Sequence, residues 1–178
     1  DGTVSLAKAR TPNVHSVEWM GYAGTKQAAL ALTVNEWVLW LDADERVTVD
    51  LAAEIRSVVT APPGDTSGYE VARRAFFIGK WIRHCGWYPG YVVRLFGKAS
   101  ASFTASRVHE GLSLAGRSAR LRGDLLHYTD ETLFHYFEKF NRYTTLAAEE
   151  MRERGASFSL TALLVRPPFL FVKMYLLR

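Results

Sequence analysis

The alternation of apolar and polar positions divides the chain into a regular first part and a less regular second part. Residues 37–41 (Trp37, Val38, Leu39, Trp40, Leu41) form an unbroken apolar run of aromatic and branched side chains. A run of that length and composition predicts a short strand buried on both faces. It stops abruptly in acid: Asp42, Asp44 and Glu45 follow with only Ala43 between them. Upstream, residues 1–10 predict a turn and a short helix, 13–19 a short alternating strand, 21–24 a flexible loop, and 25–33 a helix with Ala and Leu inward. Downstream, Thr48 is a good N-cap for a helix over 49–59, with Asp50 in its first turn and Leu51, Ile55, Val58 and Val59 as its apolar stripe. Residues 61–67 read as a surface loop. This alternation predicts an α/β fold with a mixed, mainly parallel sheet flanked by helices.

From residue 68 the rhythm changes. Strands are expected at 68–75, at 91–96 and within 121–128, where Leu125, Leu126, His127 and Tyr128 end the run. Residues 76–89 (F-F-I-G-K-W-I-R-H-C-G-W-Y-P) form an aromatic, glycine-punctuated loop. Asp130 suits the cap of a long helix over 131–154, which Gly155 ends. The tail, 158–178, is strongly apolar, and its charged residues, Arg166, Lys173 and Arg178, are all basic. Pro167 and Pro168 are expected to split it into pieces too short to span a bilayer. Two readings stand side by side: interfacial helices on anionic lipid, or ordinary packing helices. The domain division is accordingly 1–157 and 158–178.

Composition narrows the classes. The chain has 178 residues, 48% hydrophobic and 22% charged, which suits one globular domain and excludes disorder. The formal charge of +4 is a mild excess that favours a phosphate-bearing ligand or an anionic membrane surface. No block of like charges resembles a nucleic-acid arm, so no nucleic-acid partner is expected. Cys85 is the single cysteine, which rules out an internal disulfide and a thiolate metal site and fits a reducing, cytoplasmic setting. The abundant Trp, Tyr and Phe suit a sugar-binding cleft, a core or a membrane interface.

The acidic stop carries the chemistry. A strand that runs into carboxylates delivers them to its carboxyl end, where open α/β sheets bind ligands. Asp42 and Asp44, separated by the small Ala43, can hold Mg²⁺ or Mn²⁺, hard cations that take oxygen ligands and share themselves with substrate phosphates. The competing reading is that these acids cap a helix or are solvated. Glu45 and Arg46 read as a local pair that fixes the turn.

Several stretches together resemble family 2 glycosyltransferases with the Rossmann-like GT-A (nucleotide-diphospho-sugar transferase) fold. They are G-Y-A-G-T-K-Q-A-A-L at 21–30, W-V-L-W-L-D-A-D-E-R at 37–46, the aromatic run at 76–89, R-L-F at 94–96, V-H-E at 108–110, L-L-H-Y at 125–128 and N-R-Y-T-T-L-A-A-E-E at 141–150. The D-A-D-E block is common to many such enzymes. The W-I-R-H-x-G-W-Y-P run resembles the bacterial subgroup that adds a sugar to the lipopolysaccharide inner core. That family normally begins with a strand and a T-x-N-E-type loop contacting the nucleotide base, and carries an apolar C-terminal extension. Neither is found here, so a truncated domain is expected.

The resemblance implies inverting transfer of a sugar, glucose in that subgroup, from a nucleotide-diphosphate donor such as a UDP-sugar to a lipid-linked saccharide. It implies a protein peripheral to the cytoplasmic face of the inner membrane. Asp44 would be the principal metal ligand, Asp42 would touch the ribose or support the metal, and His127 matches a third-ligand position, with a core histidine as the other reading. Glu110 matches the general base, and His109 could replace or orient it. Lys26 matches a basic position near the nucleotide. Arg83 and Arg94 could meet an acidic acceptor, and Trp81, Trp87 and Tyr88 could stack on sugar rings. The alternatives are transfer to a polyprenyl-phosphate or exopolysaccharide intermediate, or a catalytically silent sugar-nucleotide-binding fragment.

Overall fold

A computed structural model describes residues 2–61, 64–104 and 111–176. Helices α1 (Thr3–Lys8) and α2 (Gly21–Leu32) precede strands β1 (Trp37–Leu39) and β2 (Glu45–Val47), and α3 (Val49–Thr60) follows. Next come β3 (Thr66–Phe77), β4 (Lys80–Trp81), β5 (Gly90–Gly97), β6 (Ala101–Thr104), β7 (Gly111–Leu114) and β8 (Arg117–Asp130). Helices α4 (Leu133–Glu153) and α5 (Leu160–Tyr175) close the chain. The main sheet has the order β1-β5-β3-β8-β2, with β4 paired to β3, while β6 and β7 form a separate pair.

The expected α/β class, mixed sheet and flanking helices are all observed. The balance within the sheet is more antiparallel than the expectation of a mainly parallel one. Only the long central pairing of β3 with β8 is parallel, and β1–β5, β5–β3, β3–β4 and β8–β2 are antiparallel. The physical reason lies in two segments. Residues 13–19 form no strand, which removes one βα unit, and the aromatic loop returns the chain beside β3 as an antiparallel neighbour.

Helix α3 follows its sequence signals: the Thr48 hydroxyl accepts from the Leu51 N–H and itself donates to the Asp124 carbonyl. Its inward face presses Leu51 onto Tyr69, Val71, Leu95, Leu121 and Leu125, the buried core. The approach is close: a Cβ on Gly123 would lie 2.5 Å from the Leu51 Cα, so only glycine fits there. Burial of this cluster is the main drive for folding the sheet onto α3.

Three local expectations change. The segment 21–24 is the first turn of α2 and not a loop. Asp130 ends β8, buried, and the cap of α4 is Thr132, whose hydroxyl accepts from the His135 N–H. Helix α5 runs through Pro167 and Pro168 without a break. The missing proline N–H groups leave the carbonyls of Leu163 and Leu164 without helical partners, and these residues are exposed, so water can take their place. Among the described residues no helix is long and apolar enough to cross a membrane.

Candidate active site

The acidic turn crosses the sheet from one edge to the other. β1 pairs with β5, β2 pairs with β8, and β3 lies between those partners. Residues 40–44 therefore run across the strand ends. The Trp40 N–H donates to the Arg94 carbonyl on β5 at the start of the crossing, and the Tyr128 N–H on β8 donates to the Asp44 carbonyl at its end. This route explains why side chains from three separate strands meet the turn: Arg94 from β5, Arg73 from β3 and His127 from β8. It also corrects the expectation of a strand buried on both faces. β1 is an edge strand of three residues, and Leu39 and Leu41 are exposed.

Arg94 holds the turn. Its Nη2 donates to Asp42 Oδ2 and to Glu45 Oε1, each at 2.6 Å. Glu45 Oε2 in turn accepts from the Asp42 N–H at 3.1 Å, and the Glu45 N–H donates to the Asp42 carbonyl at 3.0 Å. Arg94 and Glu45 are both buried. A buried carboxylate shared between a guanidinium and a backbone N–H has a partner on each oxygen. Glu45 therefore pairs with Arg94 and not with Arg46, whose guanidinium lies over the Tyr128 ring. Consecutive strand residues point to opposite faces, and that separates the two neighbours.

The rest of the cluster is graded in exposure. Lys26 Nζ lies 3.7 Å from Asp42 Oδ1 and 4.1 Å from the centre of the Trp40 ring, which Arg94 also approaches at 4.6 Å. Trp40 thus separates two cations beside one carboxylate. The Asp42 and Asp44 side chains are almost equally exposed, at 38% and 40%, and they differ in partner: Asp44 Oδ2 lies 3.2 Å from His127 Nε2. Arg73 reaches Glu45 at 4.0 Å. Burial pushes the Arg73 guanidinium below the ordinary range, Arg94 adds to this, and Glu45, Asp42 and Asp44 oppose it.

Metal fit follows from these contacts. Among the described residues no three His, Cys, Asp or Glu side chains converge as a ready cage. Both Asp42 oxygens already face Arg94 and Lys26. Asp44, with His127 beside it, is the group with room for a cation. This set suits an ion that takes one or two carboxylates and completes its shell with water and substrate phosphates.

The aromatic loop is divided between the two faces of the sheet. Cys85 (φ 59°) and Gly86 (φ 77°) take left-handed backbone, and Trp87 then turns toward the cluster side, near Phe77. There a cavity of about 480 Å³ is bounded by Arg73, His127, Trp87 and Lys173 of α5. Tyr88 and Trp81 go to the opposite face. The Tyr88 hydroxyl donates to Asp124 Oδ1 at 3.0 Å, and its ring meets Trp81 edge-on. Arg74 Nε donates to Asp124 Oδ2 at 2.7 Å, and both Arg74 and Arg83 lie over Trp81.

Of the residues singled out from sequence, Lys26, Asp42, Asp44, Arg94 and His127 come together, and Trp87 borders the same side. Trp81, Arg83 and Tyr88 form a second group around Arg74 and Asp124. Glu110 and His109 lie outside the described residues. Sequence reasoning missed Arg73, Trp40 and the anchoring role of Glu45. The one available signal was the pair Arg73-Arg74 inside an otherwise apolar strand.

Comparison with known proteins gives a consistent set of relatives. The chain is 33% identical over 164 residues to the lipopolysaccharide core biosynthesis glycosyltransferase LpsC of Rhizobium meliloti, covering 88% of this chain and 58% of that protein. It is 27% identical over 188 residues to an uncharacterized glycosyltransferase of Rickettsia typhi and, likewise, to one of Rickettsia prowazekii, covering 100% of this chain and 64% of each relative. The chain thus spans about three fifths of the length of these curated relatives. No family model matches it.

Proposed function

Its homologues being glycosyltransferases, one of them of lipopolysaccharide core biosynthesis, we propose that this chain acts as a family 2, GT-A-type inverting glycosyltransferase. It moves a sugar, glucose in our reading, from a nucleotide-diphosphate donor such as a UDP-sugar to a lipid-linked saccharide of the lipopolysaccharide-core kind. The observation that carries this reading is the acidic turn crossing the strand ends, pinned through Asp42 and Glu45 by the buried Arg94 while Asp44 stays open beside His127.

The residues divide the work. Arg94 fixes the turn, so Asp44 is presented without rearrangement when the donor arrives. Asp44 would hold Mg²⁺ or Mn²⁺, with Asp42 and His127 next to it. Such an ion, when bound, neutralises charge growing on the leaving diphosphate. Lys26 offers a positive group beside Asp42 for the nucleotide phosphates. Glu110, with His109 beside it as the substitute or orienting group, takes the proton of the acceptor hydroxyl. A single displacement needs one base and no nucleophile from the protein. Trp87 faces the cavity as the ring on which a sugar stacks.

The protein sits peripherally at the cytoplasmic face of the membrane. What supports this is α5, whose apolar side chains are exposed and whose described charges, Arg166 and Lys173, are basic. Calorimetric titration of a UDP-sugar with Mn²⁺ tests the central reading. Binding that requires Mn²⁺ and disappears in Asp44→Ala is the expected result. Absence of binding at millimolar donor would leave only the silent-scaffold alternative. Glu110→Gln should abolish turnover while donor affinity holds; loss of both together would make Glu110 a binding residue. Deleting residues 158–178 should release the protein from anionic vesicles, and unchanged partitioning would reject the membrane contact.

A further inference from the structure

We propose that the cavity between the aromatic loop and α5 is a subsite for a phosphate group carried by the acceptor, gripped by Arg73 from the sheet and Lys173 from the helix. The cavity, about 480 Å³, has Arg73, His127 and Thr129 on its sheet side, Trp87 on its loop side and Leu170, Lys173 and Met174 on its helix side. The basic groups come from β3, β8 and α5, elements far apart in sequence. Leu170, Lys173 and Met174 are spaced by three and four residues, so one face of α5 looks into the cavity while its other faces stay outside.

Arg73 is the group that points to an anion. Among the described residues its carboxylate partner is Glu45, which lies at 4.0 Å and is held at 2.6 Å by Arg94. The Arg73 Nε is buried without a hydrogen-bond partner among the described residues. A half-buried guanidinium with an unused donor and a distant, shared counter-ion has hydrogen-bonding capacity left for an oxyanion. Arg and Lys facing each other across a cavity match a doubly charged oxyanion better than a singly charged one. Trp87 beside them supplies a ring face for the sugar that bears the phosphate.

This deepens the transferase reading and rests on it for the word acceptor; the existence of the anion site does not. The donor side is marked by Lys26 and Asp44, and His127, 3.2 Å from Asp44, also lines the cavity. The test is calorimetric titration of the full chain with inorganic phosphate, without metal, at low ionic strength. Lys173→Ala and Arg73→Gln should each weaken phosphate about tenfold. Arg166→Ala, which removes the same charge from α5 outside the cavity, should leave phosphate affinity unchanged. Circular dichroism checks that each variant is folded, and Lys173→Ala, on a helix surface, keeps the test valid if Arg73→Gln is not.

Equal weakening in Arg166→Ala would overturn the site in favour of general charge attraction. Unchanged affinity in Lys173→Ala would overturn it outright. Acetate binding as tightly as phosphate would overturn the choice of phosphate. UDP titrated with Mn²⁺ into the same samples reads the donor site separately. Lys173→Ala should leave it intact, and a parallel loss there would reassign the cavity to the donor. Failure of UDP to bind any sample, with phosphate binding retained, would overturn the transferase reading and spare the anion site.

Discussion

Arg73 and Arg74 are neighbours on one strand, yet they build two different ionic clusters on opposite faces of the sheet. On one face Arg74 meets the buried Asp124, whose second oxygen accepts the Tyr88 hydroxyl. There each Asp124 oxygen has its partner, and Trp81, whose buried Nε1 has no hydrogen-bond partner among the described residues, lies under both Arg74 and Arg83. On the other face Glu45 serves Arg94 closely and Arg73 distantly, Asp44 is part-exposed, and a cavity opens beside them. A satisfied network mainly fixes structure, whereas an incompletely satisfied one has capacity left for a ligand. The Tyr88 side holds the aromatic loop, and the Arg73 side is where we propose that ligands bind.

The largest expected effect comes from removing the shared anion. Glu45→Ala leaves the buried Arg94 with the part-exposed Asp42 and takes the shared counter-ion from Arg73, and breaking such a buried pair costs roughly 3–5 kcal/mol. Urea unfolding should show a loss of that size; a loss under about 1 kcal/mol would mean that Glu45 does not anchor the turn. Asp124→Asn on the opposite face should cost roughly 2–3 kcal/mol, because Arg74 is part-exposed and water can replace part of what is lost. If Asp124→Asn also abolished donor binding without unfolding the chain, the division of the two faces would fail. Asp44→Ala should change stability by less than about 0.5 kcal/mol, since its side chain is part-exposed, while Mn²⁺-dependent donor binding is lost. A large stability loss there would make Asp44 a structural acid.

The substitution with the least expected consequence for ligand binding is at Tyr88. Replacing it with Phe removes one hydrogen bond to Asp124, worth about 1 kcal/mol. Burial pushes the Tyr88 hydroxyl above its ordinary value, and the hydrogen bond to Asp124 and its negative charge add to the rise. The folded form therefore holds its proton after the unfolded chain has lost it. The stability tied to this proton is complete below about pH 10, the unfolded phenol range, and is lost as pH rises through the folded value. Unfolding free energy measured between pH 8 and 11 should fall less steeply in Tyr88→Phe than in the parent. Identical slopes would remove Tyr88 from the alkaline titration and leave the similarly raised Tyr69 as a contributor.

Much of this was legible along the chain. The Thr48 cap and the apolar stripe of α3, the strands around Val71, Leu95 and Leu125, and the meeting of Asp42 and Asp44 all follow from local signals, because caps and burial periodicity act within a few residues. The acidic stop after Leu41 also marked where the chain leaves β1 and turns across the strand ends. Three features were not legible. The length and edge position of β1 depend on which strands lie beside it. The partner of Glu45 depends on which strand crosses above it. The side taken by Trp87 against Trp81 and Tyr88 depends on the left-handed turn at Cys85 and Gly86. Arg46 beside Glu45 looked like a partner because sequence distance was the only distance available, and strand alternation sends the two to opposite faces.

The sequence by itself determined the element types, the acidic turn and its relation to glycosyltransferases, since these rest on short-range pattern and on shared residues. Only the tertiary structure decided that Arg94 locks the turn, that Arg73 reaches Glu45 at no closer than 4.0 Å, and that α5 forms a wall of the cavity. Those facts come from strands brought side by side across wide gaps in the chain, where charge is settled by distance in space and not by order along the backbone.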